Sequence, residues 1–278
     1  MVELLNWMSA ISDELSVTEV SIPGSDRSAA LRDGEPFGYA QHQEKSIGWQ
    51  LAHGIRYLDI RCRVLPRGGL EVQSGPVDQR QTLADVLETC AAFLDQLPSE
   101  TLLLRIRQEG SGDELRFCTA FRDHLDRRGF RKLFHLASTF PTMAEARGKV
   151  VLMSGNPYIG EGIRFDKTRV DLQDDYDDPT PEQKLACIRR HLDRCQRARS
   201  TAKLFVNSVS ASGAVSNRWT PLAYADELNP HVPELLGKYA GRGRGVGVIV
   251  CDYVNRLGLS EPETDQLITA VVSCNDLR

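Results

Sequence analysis

No stretch of this 278-residue chain reaches the roughly 18 consecutive apolar residues that a membrane-spanning helix requires. The N-terminus, Met1-Val2-Glu3-Leu4-Leu5-Asn6-Trp7, has acid where a secretory leader has base, and no long apolar core follows. A protein that stays in the cytoplasm is expected. Runs of Lys or Arg are also missing: 34 basic residues against 38 acidic ones leave a formal net charge of −4, without the basic footprint of a nucleic-acid partner. No Cys-x-x-Cys pair occurs. The seven cysteines, Cys62, Cys90, Cys118, Cys187, Cys195, Cys251 and Cys274, are scattered, so they read as reduced thiols and disfavour a zinc site. No internal repeat, low-complexity segment or linker stands out. The length is ordinary for one α/β barrel, which argues for a single domain over residues 1–278.

What is present begins with Gly54-Ile55-Arg56-Tyr57-Leu58-Asp59-Ile60-Arg61. Its apolar residues have strand composition, and Asp59 and Arg61 stand two apart, so period-two geometry turns both to one face. If that face lines a barrel near its C-terminal mouth, a carboxylate and a guanidinium meet a ligand together. Read from these residues alone, a strand-end ion pair on a solvated face is an equal alternative.

Around this stretch the chain alternates strand and helix. Residues 2–14 read as a short amphipathic helix and Val17–Ile22 as a strand closed by the turn Pro23-Gly24. Ser25-Asp26-Arg27-Ser28 reads as a polar loop. Strands are expected at 54–61, 70–73, 102–107, 150–153, 203–208 and 247–253, and helices from Thr82 to Pro98, over 113–128, from Pro181 to Arg199, within 228–240, and from Glu263 to Val272. Repeated strand then helix implies a parallel sheet with helices outside, and six to eight strands suit a barrel.

Six motifs, in order, then become specific: S-I-P-G at 21–24, G-I-R-Y-L-D-I-R at 54–61, P-S-E-T-L-L-L at 98–104, Q-D-D-Y at 173–176, F-V-N-S-V-S-A-S-G at 205–213 and C-D-Y-V-N at 251–255. Together they resemble the X-domain of bacterial phosphatidylinositol-specific phospholipase C, over roughly residues 17–258. The resemblance implies a distorted TIM-type (β/α) barrel, the PLC-like phosphodiesterase fold, with its site at the C-terminal mouth. In that family one histidine deprotonates an inositol hydroxyl and a second protonates the departing diacylglycerol, giving a cyclic phosphate.

The same resemblance places Asp26 and Arg27 where the family has histidine and its neighbouring carboxylate, and Ser74, before Gly75, where it has the second histidine. An arginine expected after the strand ending at Met153 is replaced by Ser154 or Gly155. Asp59, Arg61, Asp174, Tyr176 and Asp252 match positions used for phosphate, inositol or histidine contacts, and Arg107 stands in place of a lysine. Arg61 also occupies the place of a carboxylate ligand in calcium-dependent relatives, so neither metal nor other cofactor is expected. A carboxylate is a poorer base than imidazole by roughly 2.6 pKa units, and an unassisted hydroxyl such as Ser74 has no readily donated proton. Each lost assistance is worth about 10² to 10⁴ in rate.

The expectation is therefore a repurposed barrel enzyme performing acid/base chemistry of cyclase, lyase or transferase type on a soluble, anionic small molecule, in a biosynthetic setting. Asp26, Asp59 and Asp252 are the candidate catalytic residues; Arg27, Arg61, Ser74, Arg107, Glu109, Asp174, Tyr176 and Asn207 are candidates for holding substrate. Asn207 reads as a backbone tether ahead of a substrate contact. Two alternatives stand beside it: a phosphoric diester hydrolase or lyase with altered residues, and an inactive barrel that binds a ligand or protein. The six histidines are read as surface or packing residues. His53 precedes the organising strand, His42 lies in the first crossover, His124 and His191 lie on helices, and His135 and His231 in connections. The first crossover, residues 29–46, has only Phe37 and Tyr39 as aromatics, so no membrane docking is expected.

Overall fold

The computed structural model describes residues 3–34, 38–66, 68–110, 112–198, 202–213, 219–242, 244–259 and 264–277. Met1, Val2, Phe37, Arg199 and Glu263, named above, lie outside them. The strands are β1 (Ile22–Ser25), β2 (Tyr57–Val64), β3 (Leu70–Ser74), β4 (Val77–Thr82), β5 (Leu102–Gln108), β6 (Phe134–His135), β7 (Val150–Ser154), β8 (Ile163–Arg164), β9 (Val170–Gln173), β10 (Leu204–Ser208) and β11 (Val248–Cys251). The helices are α1 (Ile47–Ala52), α2 (Leu83–Gln96), α3 (Glu114–Asp126), α4 (Met143–Ala146), α5 (Pro181–Arg197), α6 (Pro221–Leu228), α7 (Val232–Gly237) and α8 (Gln266–Val272).

One sheet runs β6-β7-β5-β2-β1-β11-β10-β9. Every neighbour pair on that path is parallel, and β3 and β4 form an antiparallel hairpin off β2. Parallel strands covered on both faces read as unbroken apolar runs. Leu102, Leu103 and Leu104 and Val150 to Met153 are such runs, all fully buried, and each such side chain contributes about 1.5–3 kcal/mol on burial. Helix starts follow local chemistry: Thr82 and Asp85 close a reciprocal capping box on α2, and Thr180 caps α5 with Pro181 at its first position. This is the distorted barrel that the motif order implied.

Several boundaries differ from expectation. Residues 4–10 form a 3₁₀ helix, shorter than the helix expected over 2–14. Val17–Glu19 is a 3₁₀ turn closed by a Ser16/Glu19 capping box, and the strand begins only at Ile22, so Pro23 and Gly24 lie inside β1. Local side-chain capping of the backbone outcompetes an extended reading of 17–20. Gly24 is required by close packing: a Cβ there would stand 2.9 Å from Tyr57 Cδ1 and 3.2 Å from Val248 Cγ1. Ser25 belongs to the strand too, so the mouth starts at Asp26. Strands β4, β6, β8 and β9 and helices α4 and α6 are not among the expected elements; β6 and β8 have two residues and β9 and α4 four, too short for a periodic signal.

Candidate active site

At the C-terminal ends of the strands, alternation decides what faces inward. Asp59 and Arg61 share a face of β2, and Arg61 Nε lies 3.3 Å from Asp59 Oδ2. Arg107, in register with Arg61 on β5, brings Nη1 to 3.7 Å of the same oxygen. Asp26 follows β1 and Asp252 follows β11, with Asp26 N–H donating to the Cys251 carbonyl at 3.0 Å. The turn after β1 is tied to β2 twice: Ser28 N–H donates to the Asp59 carbonyl, and Asp59 N–H donates to Ser28 Oγ, each at 2.9 Å. Arg27 then takes a left-handed φ of 39°, a strain on the order of 1–3 kcal/mol for a side chain of this kind, and reaches across the mouth.

Its partner is Glu109. Arg27 Nη1 and Gly75 N–H both donate to Glu109 Oε1 at 2.9 Å, and Arg61 Nη1 lies 3.8 Å from Oε2. Burial pushes the Glu109 carboxyl up, but Arg27 and Arg61 outweigh it and leave the group below the usual carboxylate range. Glu109 is thus ionised and has no proton to give. Ser74 Oγ, beside Gly75, is buried and has no hydrogen-bond partner among the described residues.

One expectation fails. His42, read as an idle crossover residue, is buried at the mouth, with Nδ1 2.8 Å from Asp252 Oδ1 and 3.6 Å from Asp26 Oδ2. The crossover is held there by backbone bonds: His42 N–H donates to the Ala30 carbonyl at 2.9 Å, and Tyr253 N–H to the His42 carbonyl at 2.8 Å. Gln43 Nε2 bridges the carbonyls of Asp26 (2.9 Å) and Cys251 (3.0 Å). The two carboxylates around the ring have opposite environments. For Asp26, burial raises the pKa but Arg61, His42 and Arg27 outweigh it and hold the group far below the usual range. For Asp252, burial dominates over His42 and pushes the group up. Nothing in the spacing of His42 and Asp252, 210 residues apart, could have paired them.

The remaining candidates separate. Asp174 lines, with Asp26, Asp59, Tyr57 and Arg105, a cavity of about 10 Å³ at the barrel interior, room for about one water. Although the residue as a whole is exposed, desolvation of its carboxyl raises the pKa, and Asp26 adds to that. Tyr176 is pushed above the usual phenol range by burial and by the charges of Asp252 and Asp26, opposed by Arg27 and Arg61. Asn207 is the exception: it is fully buried, Nδ2 donates to the Ile188 carbonyl at 3.0 Å, and Oδ1 accepts from Gln173 Nε2 at 2.8 Å. Both ends of its amide are engaged in a tether between β10, α5 and β9, the backbone-tether reading of this residue. Lys184, unremarked in the sequence, is fully buried on α5 and donates to the Asp175 carbonyl at 2.6 Å, fixing the loop that carries Asp174 and Tyr176. A larger cavity of about 440 Å³ opens beside Arg107, lined also by Gln108, Gly110, Glu114, Gly155 and Asn156. His53 pairs with Asp265 at 2.9 Å and stacks on Trp49, away from this cluster.

With this geometry in view, known proteins supply the kinship. The family model for phosphatidylinositol-specific phospholipase C, X domain, matches residues 36–155. A 1-phosphatidylinositol phosphodiesterase of Listeria monocytogenes is 29% identical over 263 residues, covering 89% of this chain and 80% of that protein. The chain is a homologue of the bacterial phosphatidylinositol-specific phospholipases C. The 1-phosphatidylinositol phosphodiesterase of Staphylococcus aureus is 26% identical, covering 97% of this chain and 94% of the relative. Among solved structures, phosphatidylinositol-specific phospholipase C from Listeria monocytogenes superposes with a TM-score of 0.85 at 26% identity, over 99% of this chain and all of that one. A double mutant of the Staphylococcus aureus phospholipase shares the fold with a TM-score of 0.86 at 23% identity, over 99% of this chain and 98% of that one. Among the described residues, no helix of this phospholipase C homologue is long and apolar enough to cross a membrane.

Proposed function

We propose that this chain is a PLC-like phosphodiesterase that cleaves a phosphoric diester of a small, polar, anionic molecule. The observation that carries the reading is the His42–Asp252 pair at 2.8 Å, set beside Asp26 and the Arg61 guanidinium. An imidazole oriented by a carboxylate, next to converging guanidiniums, suits proton removal at an anionic ester. Arg61, Arg107 and Arg27 hold the phosphoryl oxygens, which means that substrate displaces Glu109 from Arg27. Asp26, the least buried of the acid–base trio, faces the attacking hydroxyl. The proton lost by that hydroxyl is shared among Asp26, His42 Nδ1 and Asp252, while the oxygen attacks phosphorus and the ester oxygen departs. With Glu109 ionised and Ser74 a weak acid, departing groups that need no protonation, such as phenolates, leave faster than alkoxides.

The expectation of a repurposed cyclase, lyase or transferase rested on the absence of any imidazole. His42 removes that ground, so phosphodiester chemistry with altered proton carriers takes its place. The test is phosphorus NMR of products from phosphatidylinositol vesicles, soluble glycerophosphodiesters and an aryl phosphodiester. Cleavage of a soluble diester, lost in both Arg61→Ala and His42→Ala, supports the reading. If no diester turns over with any of these substrates, it fails.

A further inference from the structure

Three carboxylates and three guanidiniums are linked by ion-pair contacts at the mouth, Asp26, Asp59 and Glu109 against Arg27, Arg61 and Arg107, while Asp252 pairs among the described residues with His42. Asp26 Oδ2 and Asp252 Oδ2 are both buried there and accept no hydrogen bond among the described residues. A buried carboxylate oxygen without a donor is costly. The imidazole cannot satisfy both, because Nδ1 carries at most one hydrogen and already lies 2.8 Å from Asp252 Oδ1.

We propose that Asp26, His42 and Asp252 form a site for one divalent transition-metal ion, with one nitrogen and two carboxylate donors. The spacing fits: one donor atom from each residue lies within 4.8 Å of the others. Ligands about 2.1 Å from a tetrahedral ion stand roughly 3.4 Å apart, and the observed separations of 2.8 and 3.6 Å from Nδ1 bracket that value. The donors are also held before any ion arrives. His42 is fixed by its own backbone bonds and Gln43 ties the ends of β1 and β11 together. The residue after each carboxylate, Arg27 (φ 39°) and Tyr253 (φ 46°), sits in the left-handed region, so the backbone bends at both ligand positions.

The donor set selects the ion. An imidazole with two carboxylates suits Zn²⁺ or Mn²⁺, whereas Ca²⁺ takes six to eight oxygens and is poorly served by three protein donors. Open coordination positions remain for water or a substrate oxygen. The ion takes the place of the proton shared around Nδ1, so metal-loaded and proton-carrying forms exclude one another. This site stands on its own geometry, whether or not a phosphodiester is the substrate.

The full-length protein, stripped with a chelator, is titrated with Zn²⁺ and Mn²⁺ by calorimetry, and with Co²⁺ by visible absorption. One equivalent of Zn²⁺ per chain is expected, with ligand-field bands for Co²⁺. His42→Ala and Asp252→Asn each remove a ligand, so each should weaken Zn²⁺ binding by at least the roughly 10- to 100-fold that loss of an outer-shell partner costs. Controls are His53→Ala and Cys187→Ser, the latter at the only cysteine that is not buried among the seven, and both should bind as before. Near-UV circular dichroism checks folding, and the isosteric Asp252→Asn decides the matter should His42→Ala unfold. A wild-type chain that retains no metal overturns the proposal, as does stoichiometric binding that survives both substitutions unchanged.

Discussion

His42 Nδ1 stands 2.8 Å from Asp252 Oδ1 across 210 residues of chain, and this contact joins the first crossover to the end of the last strand. It returns an imidazole to the barrel mouth. His42→Ala or Asp252→Asn is expected to lower kcat by about 10² to 10⁴ on any diester the protein cleaves. Because the two act through one hydrogen bond, the double variant should be little worse than either single one. Turnover within twofold of wild type in both single variants would remove this pair from the reaction.

Glu109 closes the mouth by pairing with Arg27 at 2.9 Å. Glu109→Gln should free Arg27 and tighten binding of inorganic phosphate, measured by calorimetry. The pH signature follows from the lowered carboxyl, held down by Arg27 and Arg61 against burial. Its stabilising contribution is present above the unfolded carboxylate value and is lost as pH falls through the lower folded value. The glutamine variant should lack that acid-side loss in urea titrations taken at successive pH values.

Lys184 has its pKa pushed down to about 8 by burial, against the pull of Asp174 and Asp175. The unfolded chain therefore binds more protons than the folded one between about 8 and the ordinary lysine value, so stability rises with pH across that window. Lys184→Met should abolish the rise. The same variant should expose the 173–176 loop to faster hydrogen exchange, since Nζ no longer donates to the Asp175 carbonyl.

Gly24→Ala places a methyl 2.9 Å from Tyr57 Cδ1. Overpacking of this kind typically costs about 1–3 kcal/mol. Because β1 is paired on both sides, with Tyr57 and Val250 as the partners of Gly24, the strain should also move Asp26 and reduce turnover. An unchanged urea midpoint would contradict the packing argument.

At the opposite end of the barrel, Arg56 Nε donates to Glu100 Oε2 at 2.8 Å, both side chains being fully buried. Arg56 also donates to the carbonyls of Leu51, Ile55 and Leu5 and lies over the Phe93 ring at 4.6 Å. Removing one partner, as in Glu100→Gln, should cost on the order of 3–5 kcal/mol while leaving KM near wild type, which chemical unfolding and steady-state kinetics together can check.

Local patterning made much of this molecule legible. The apolar runs at 102–104 and 150–153, the Thr82 cap and the Pro181 start all appear where their chemistry puts them. The two-residue spacing of Asp59 and Arg61 placed both on one face, since strand geometry is dictated residue by residue. Boundaries set by competition were not legible: whether 17–20 is extended or capped depends on Ser16 and Glu19 finding each other, and Gly24 is read as a turn until Tyr57 is seen against it.

The sequence by itself determined the alternation of strand and helix, because periodicity acts over short distances, and through its resemblance to the phospholipase family it implied the barrel and the mouth where Arg61 and Arg107 stand. Only the tertiary structure decided which groups carry protons there. His42 has no periodic or motif signal. It reaches Asp252 and Asp26 because β1 and β11 are adjacent in the sheet and the crossover is bonded to both strand ends. The tether at Asn207 is decided in the same way, since its partners Ile188 and Gln173 come from other elements. A side chain's chemistry depends on what surrounds it, and that surrounding is assembled only when distant segments pack.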